Sequence, residues 1–170
     1  MTRACYPGSF DPFTVAHLAI AEAAVMQCSL DLLDLVLSEA ALGKEASGRP
    51  AASERAETLR GRIAGRDRLR VATTPAQLLA EIADGYDWVV LGTDKWRQIL
   101  EPAWYGSVSA RDAAIDALPR IALAPRPFAA DSGSPIDDAI PEGSIVLSIP
   151  DSLAEVSSTA VRAGRTDWMA

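Results

Sequence analysis

The stretch from Arg3 to Gln27 reads RACYPGSFDPFTVAHLAIAEAAVMQ. Its apolar start, Arg3–Pro7, has the length and composition of a buried β-strand, and Ala16–Gln27 has the period of an α-helix. Gly8 stands between them, where a residue without a side chain permits a tight turn and lets a ligand approach the backbone closely. The stretch therefore predicts a strand, a ligand-binding turn and a helix in succession.

The same alternation of strands and helices continues along the chain. The further predicted strands are Leu32–Ser38, Leu69–Ala72, Trp88–Gly92, Arg120–Ala124 and Ser144–Ile149. The further predicted helices are Ala52–Ala64, Pro75–Asp84, Ala110–Leu118 and one that starts near Ser158. Short apolar strands that alternate with helices favour parallel pairing with helices on both faces of the sheet. We therefore predict an α/β fold, a doubly wound parallel sheet, formed by one domain over residues 1–170.

The composition is that of a globular protein with an acidic balance. The chain has 170 residues, of which 49% are hydrophobic, and a formal net charge of −7. A protein that binds long DNA or RNA usually has a basic face that neutralises phosphates, and the sequence shows no run of Lys and Arg of that kind. The charge argues against a nucleic-acid partner but is compatible with a mononucleotide, which needs only a few local cations.

The remaining global features predict a cytoplasmic protein without a membrane partner. The N-terminus lacks the long apolar stretch of a secretory signal, and the most apolar segment, Leu30–Leu37, is interrupted by two aspartates. Cys5 and Cys28 have neither the spacing of a metal site nor that of a disulfide framework. We expect two reduced, buried thiols and no metal-ligating residues.

The turn after the first strand is the first candidate anion site. The backbone amides near Ser9 and Phe10 can point at a phosphate, and His17 lies near the positive end of the helix dipole. Thr14 adds a hydroxyl one turn earlier. A lone histidine on a helix is often a packing residue, but His17 follows a strand–turn element and is the chain's one histidine, which favours a functional role.

A second candidate anion site lies near the C-terminus. Three hydroxyl residues, Ser157, Ser158 and Thr159, precede or open a short helix, and Arg162 follows about one turn later. Free backbone amides, hydroxyls and a cation at one helix start are suited to a phosphate. The alternative is an ordinary capped terminal helix.

These two segments together resemble the nucleotidylyltransferase superfamily. The run GSFDPFTVAH is similar to the superfamily's GxFDPxHxGH or TxGH signature, and SSTAVR is similar to its ISSTxxR motif. Thr14 replaces the first histidine of the signature and Ala16 replaces its glycine, while His17 is retained. The resemblance implies a Rossmann-like fold in which Gly8, Ser9, Phe10, Thr14, His17 and the Ser157–Arg162 segment bind the nucleotide.

The middle of the chain resembles one branch of this superfamily. Gly92 and Asp94 follow the fourth strand, and Trp104 follows ten residues after Asp94. Asp94 could accept ribose hydroxyls and Trp104 could stack on a flat ring, although a helix-capping aspartate and a core tryptophan are equally compatible. The segment is similar to the GADxxxxxxxxW region of the nicotinate mononucleotide adenylyltransferases, where these residues contact the sugar and the pyridine ring. Lys44 resembles the superfamily's phosphate-contacting lysine, with a solvated surface lysine as the alternative.

The resemblance implies transfer of AMP from ATP to an acceptor phosphate, with release of pyrophosphate. His17, Lys44 and Arg162 are then the catalytic residues, Mg²⁺ bridges the phosphates, and no residue acts as a nucleophile. The implied partners are small-molecule nucleotides, with nicotinate or nicotinamide mononucleotide as the leading acceptor and Lys44 and Trp104 as its contacts.

Two further classes of function stay open at this point. One is a phosphopantetheine adenylyltransferase, or a cytidylyltransferase that acts on a small phosphate or phosphonate. The other is a catalytically silent nucleotide-binding module, because Thr14 and Ala16 depart from the signature and the chain stops eight residues after Arg162. The oligomeric state is also open, with a homo-oligomer among the options.

Overall fold

The computed structural model describes residues 1–39, 50–125, 141–153, 156 and 158–170. Within them the chain forms a parallel sheet of six strands in the order β3-β2-β1-β4-β5-β6. The strands are β1 (Arg3–Pro7), β2 (Leu32–Ser38), β3 (Leu69–Thr74), β4 (Trp88–Gly92), β5 (Arg120–Ala124) and β6 (Ile145–Val146). The predicted doubly wound α/β fold is confirmed.

Six α-helices connect or follow these strands in the described part of the chain. They are α1 (Val15–Gln27), α2 (Ala52–Arg62), α3 (Leu79–Ala83), α4 (Thr93–Leu100), α5 (Val108–Asp116) and α6 (Ser158–Arg162). Short 3₁₀ turns occur at Pro102–Trp104, Asp151–Leu153 and Thr166–Trp168. None of the helices in the described ranges is long and apolar enough to cross a membrane.

The sheet has a hydrophobic core on each face. Leu33, Leu35 and Leu37 of β2 pack into one core with residues of α1 and α2, while Val36 joins the other core with residues of α3 and α4. Alternate residues of a strand point to opposite faces, so a strand that is buried on both sides is apolar along nearly its whole length. This explains why β2 is a continuous apolar run with one interruption, at Asp34.

The reversal of strand order locates the place where such a sheet binds ligands. The chain proceeds from β1 outward through β2 to β3, and then returns to place β4 on the other side of β1. The connections after β1 and after β4 therefore leave the sheet on opposite faces and open a crevice at their carboxyl ends. Gly8 and Gly92 stand at those two ends.

The third helix is shorter than predicted. The third helix was expected at Pro75–Asp84 but covers only Leu79–Ala83. Strand β3 continues to Thr74, whose hydroxyl accepts a hydrogen bond from the amide of Ala76 at 3.2 Å, and the Ala76 carbonyl accepts one from Ser38 at 2.7 Å. These bonds hold the chain outside a helix for several residues after the strand.

One helix was not predicted, and two further elements differ from the prediction at their ends. Helix α4 was not predicted, and it begins directly after β4 without an intervening loop. Helix α5 starts at Val108, two residues earlier than expected, because Ser107 caps it by accepting from the amide of Ala110 at 3.1 Å. Strand β6 is two residues long, shorter than the expected Ser144–Ile149.

Candidate active site

The turn after β1 brings the ring of Phe10 close to the backbone of Gly8. The Gly8 amide donates to the carbonyl of Val36 at 3.0 Å, which continues the β1–β2 pairing into the turn. A Cβ atom at Gly8 would lie 2.7 Å from the ring of Phe10, well inside van der Waals contact. The ring of Phe10 therefore folds back over the glycine, and a side chain at position 8 would displace it.

Phe10 occupies a conformation that is unusual for a residue with a side chain. Its φ is +44°, in the left-handed region, and its ring is buried. The ring packs edge-on against the rings of Tyr6 and His17, with centroid distances of 5.3 Å in both cases. Phe13 stacks on His17 at 5.7 Å with an interplanar angle of 14°. Aromatic rings therefore surround the His17 imidazole and restrict its orientation.

Thr14 and His17 form a reciprocal cap at the start of α1. The Thr14 amide donates to His17 Nδ1 at 3.1 Å, and the His17 amide donates to the Thr14 hydroxyl oxygen at 3.4 Å. The Thr14 hydroxyl also lies 2.8 Å from Nδ1. Because a backbone amide can only donate, Nδ1 carries the lone pair, and the ring proton of neutral His17 is on Nε2.

This geometry changes the expected role of Thr14. The sequence predicts that its hydroxyl contacts the nucleotide, but the side chain is 0% exposed and faces the imidazole. In the described structure Thr14 is a positioning residue, which fixes the tautomer and the direction of His17. Nε2–H is thus the donor that His17 can present to a phosphate oxygen.

The C-terminal motif lies against the same turn. The Ser158 hydroxyl donates to the carbonyl of Pro12 at 2.8 Å, and Arg162 donates to the carbonyl of Asp11. Arg162 also donates to the hydroxyl of Thr159 at 3.2 Å. Two segments about 150 positions apart in the chain are therefore joined directly. The candidate residues Ser157 and Lys44 lie outside the described residues.

The segment that follows α6 continues along the start of α1. Met169 forms an antiparallel bridge with Thr14, and the amide of Ala170 donates to the carbonyl of Phe13 at 3.2 Å. Arg62 of α2 donates to the Ala170 oxygen at 2.6 Å. The cap that holds His17 is thus itself supported by the C-terminal segment.

A cavity of about 360 Å³ opens at the carboxyl ends of β1 and β4. His17 and the Gly8–Phe10 turn line it from one side, and Gly92 and Asp94 line it from the other. Trp104, which is 46% exposed, also lines it. The apolar part of its wall comes from Leu78, Leu79, Ile82 and Ile99. The structure therefore brings together the three groups that the sequence proposed separately, namely the imidazole, the carboxylate and the indole.

Other candidates are placed elsewhere. Arg162 is exposed beside the turn and is not among the residues that line the cavity. Trp96, the other tryptophan after Asp94, is 1% exposed and belongs to the core between α4 and the sheet. Of the two tryptophans, Trp104 is the one that a ligand in the cavity can reach.

Sequence reasoning missed several residues of the cavity wall, among them Arg55, Lys95 and Tyr105. Tyr105 adjoins Trp104, and Lys95 adjoins Asp94, so both could have been found by extending the candidate segments by one residue. Arg55 had no such signal, because it reaches the turn after β1 from helix α2 only through the tertiary fold.

The two thiols are unsuited to nucleophilic catalysis. Both cysteines are buried and unbonded to each other. Burial raises the pKa of Cys5 to about 12 and that of Cys28 to about 11, so both stay protonated at neutral pH. The reactive form of a cysteine is the thiolate, so neither buried thiol is suited to act as a nucleophile.

The model of the Cytidylyltransferase-like family matches residues 5–164. The match runs from within β1 to just after α6 and includes both halves of the site. Among curated proteins, no significant match to the chain is found.

Proposed function

Because the chain belongs to the Cytidylyltransferase-like family, we propose that it transfers AMP from ATP to the phosphate of nicotinate or nicotinamide mononucleotide and releases pyrophosphate. The family supports nucleotidyltransferase activity in general. One observation carries the more specific proposal: His17 faces the same cavity as an exposed tryptophan and a carboxylate at the adjacent strand end.

The chemistry needs positioned donors and no covalent intermediate. An oxygen of the acceptor phosphate attacks the α-phosphorus of ATP in line with the departing pyrophosphate. The bond to the bridging oxygen breaks, and that oxygen leaves with its electron pair on pyrophosphate. Charge that builds up on the phosphates is stabilised by donors already in place, in this proposal His17 Nε2–H, the amides of the turn and Arg162.

The acceptor assignment rests on the opposite wall of the cavity. Asp94 is exposed at the carboxyl end of β4, where its carboxylate can accept hydrogen bonds from the two hydroxyls of a ribose. Trp104 offers an exposed aromatic face, and a pyridine ring stacks well on indole. A nucleotide with a flat ring satisfies both groups, whereas a flexible phosphopantetheine would leave the indole without a ring to stack on.

Mg²⁺ enters this proposal with the triphosphate. Magnesium in such enzymes is usually held by substrate phosphates, waters and at most one or two carboxylates. The described residues include no group of three or more His, Cys, Asp or Glu side chains that could hold a metal ion. In this proposal the oxygens of the triphosphate and water would hold the ion, which would neutralise charge on the triphosphate, while Asp94 contacts the ribose.

Pyrophosphate release tests the proposal directly. The purified protein is incubated with ATP or CTP and, in separate reactions, with nicotinate mononucleotide, nicotinamide mononucleotide, phosphopantetheine or a small sugar-alcohol phosphate. We expect release with ATP and a pyridine mononucleotide, together with a dinucleotide product by mass spectrometry. Release with only CTP or only another acceptor contradicts the adenylyl or the pyridine assignment, and no release with any pair indicates a silent binding module.

A further inference from the structure

Arg55, in the first turn of α2, donates hydrogen bonds to two backbone carbonyls. Its Nη1 donates to the carbonyl of Ser9 at 2.6 Å, and its Nε donates to the carbonyl of Pro50 at 3.2 Å. Both acceptors are neutral backbone oxygens. The side chain is partly buried and lines the same cavity as His17.

Several other arginines of the protein lie beside a carboxylate, which balances their charge. Carboxylates pair with four of them at 2.6 to 3.2 Å, in the pairs Arg3–Asp34, Arg66–Glu22, Arg111–Asp112 and Arg165–Asp167. Among the described residues Arg55 has no such carboxylate. A partly buried cation without a counter-ion is costly unless an anion balances it.

The guanidinium keeps donors beyond those it uses for the backbone. Its five N–H groups form a planar fork that matches a phosphate with two parallel hydrogen bonds, and two of them are accounted for by Ser9 and Pro50. The positive charge, the remaining donors and the position in the cavity wall all suit a dianionic phosphate.

We propose that Arg55 binds the acceptor's phosphate in the cavity and holds it against the turn after β1, an inference that rests on the proposed function. The two arginines at the turn divide the phosphates between them. Arg162 contacts the Asp11 carbonyl and lies outside the cavity lining, while Arg55 contacts the Ser9 carbonyl and lines the cavity. Arg55 is assigned to the phosphate that enters with the pyridine ring because it lines the same cavity as Trp104, whereas Arg162 does not.

Calorimetry with two probes tests this assignment. Nicotinate mononucleotide and nicotinate riboside differ only in the phosphate, so their affinities are compared for the wild type, Arg55→Ala, Arg55→Lys and Arg60→Ala. Arg60 is the matched control, since it is an exposed arginine of the same helix outside this cavity. We expect Arg55→Ala to weaken mononucleotide binding about 10-fold to 100-fold, the range for hydrogen bonds to a charged group.

The affinity for nicotinate riboside shows whether Arg55→Ala weakens binding through the phosphate. We expect this affinity to be nearly unchanged in Arg55→Ala, partial recovery of mononucleotide binding in Arg55→Lys, and wild-type behaviour in Arg60→Ala. Equal losses for both probes would show that Arg55 only supports the fold of the turn, and unchanged mononucleotide binding would show no role at all. Either result overturns the inference, as does a wild type that binds both probes equally.

The binding experiment separates this inference from the proposed function. It needs no turnover, so a wild type that releases no pyrophosphate refutes the enzymatic proposal while a phosphate-dependent loss in Arg55→Ala still supports the phosphate site. In an active enzyme, Arg55→Ala should raise the KM of the acceptor by a similar factor and leave the KM of ATP nearly unchanged. A rise confined to the KM of ATP contradicts the assignment to the acceptor.

Discussion

Replacing His17 separates its two roles, because one nitrogen of the imidazole holds the helix cap and the other is proposed to donate to phosphate. His17→Ala removes both. The buried Thr14 amide then loses its acceptor at Nδ1, which costs about 1–3 kcal/mol of unfolding free energy. His17→Asn removes the ring and its outer donor but keeps the cap, since the amide oxygen of asparagine can take the place of Nδ1 and accept from the Thr14 amide.

The expected magnitudes follow from this division. Losing one preorganised donor at a phosphate lowers turnover about 100-fold to 1,000-fold, so both variants should be slow in the pyrophosphate-release assay. The unfolding midpoint should fall in His17→Ala by about 2–4 °C for each kcal/mol lost, and much less in His17→Asn. Turnover near the wild-type rate in a stable His17→Asn variant would refute the catalytic role. A similar loss of stability in both variants would refute the capping role of Nδ1.

Three further predictions concern the groups around His17. Thr14→Val removes the hydroxyl that caps α1 and contacts the imidazole. Turnover should fall about 10-fold to 100-fold and the free energy of unfolding by about 1 kcal/mol. An unchanged rate would mean that the aromatic rings alone orient His17. In calorimetry, Arg162→Ala should weaken the binding of ATP by about 1.5–3 kcal/mol and the binding of adenosine much less. Equal losses of affinity for ATP and adenosine would argue against a contact with phosphate. Trp104→Ala should raise the KM of the acceptor several-fold, since aromatic stacking is worth about 0.5–1.5 kcal/mol. Trp104→Phe should keep most of the affinity for the acceptor. A rise in the KM of ATP alone would contradict stacking on the acceptor.

The fold could be predicted well from the sequence because its strands are short apolar runs separated by helical segments. Strands β1, β2, β4 and β5 have the predicted boundaries. Helix α4 was missed because TDKWRQIL follows β4 directly, with no Pro and no polar loop between strand and helix, and because Gly92 both ends the strand and caps the helix. Only the burial of Trp96 and Ile99 on one face shows the helix.

Around the candidate site, the backbone agrees with the prediction where local sequence specifies local structure. The turn at Gly8 and the position of His17 on α1 depend on residues within a few positions of each other, and the structure has both as expected. The direction of the Thr14 hydroxyl was not predictable, because the same residue could cap the helix or face the ligand, and the accepting Nδ1 atom decides between them. Arg55 depends on a contact with Ser9 across 46 positions of the chain, which no local pattern reveals.

The position of the proton on the His17 ring tests whether Thr14 holds this imidazole as a donor to the nucleotide phosphate. Since the chain has one histidine, its two ring nitrogens can be observed by ¹⁵N NMR without assignment of other imidazoles. We predict that the neutral imidazole carries its proton on Nε2 and none on Nδ1, and that the Nε2 signal changes when a non-hydrolysable ATP analogue is added with Mg²⁺. A proton on Nδ1 instead, or an Nε2 signal that is unchanged at a saturating concentration of the analogue, would contradict the account of His17 as the Thr14-held donor to the nucleotide phosphate.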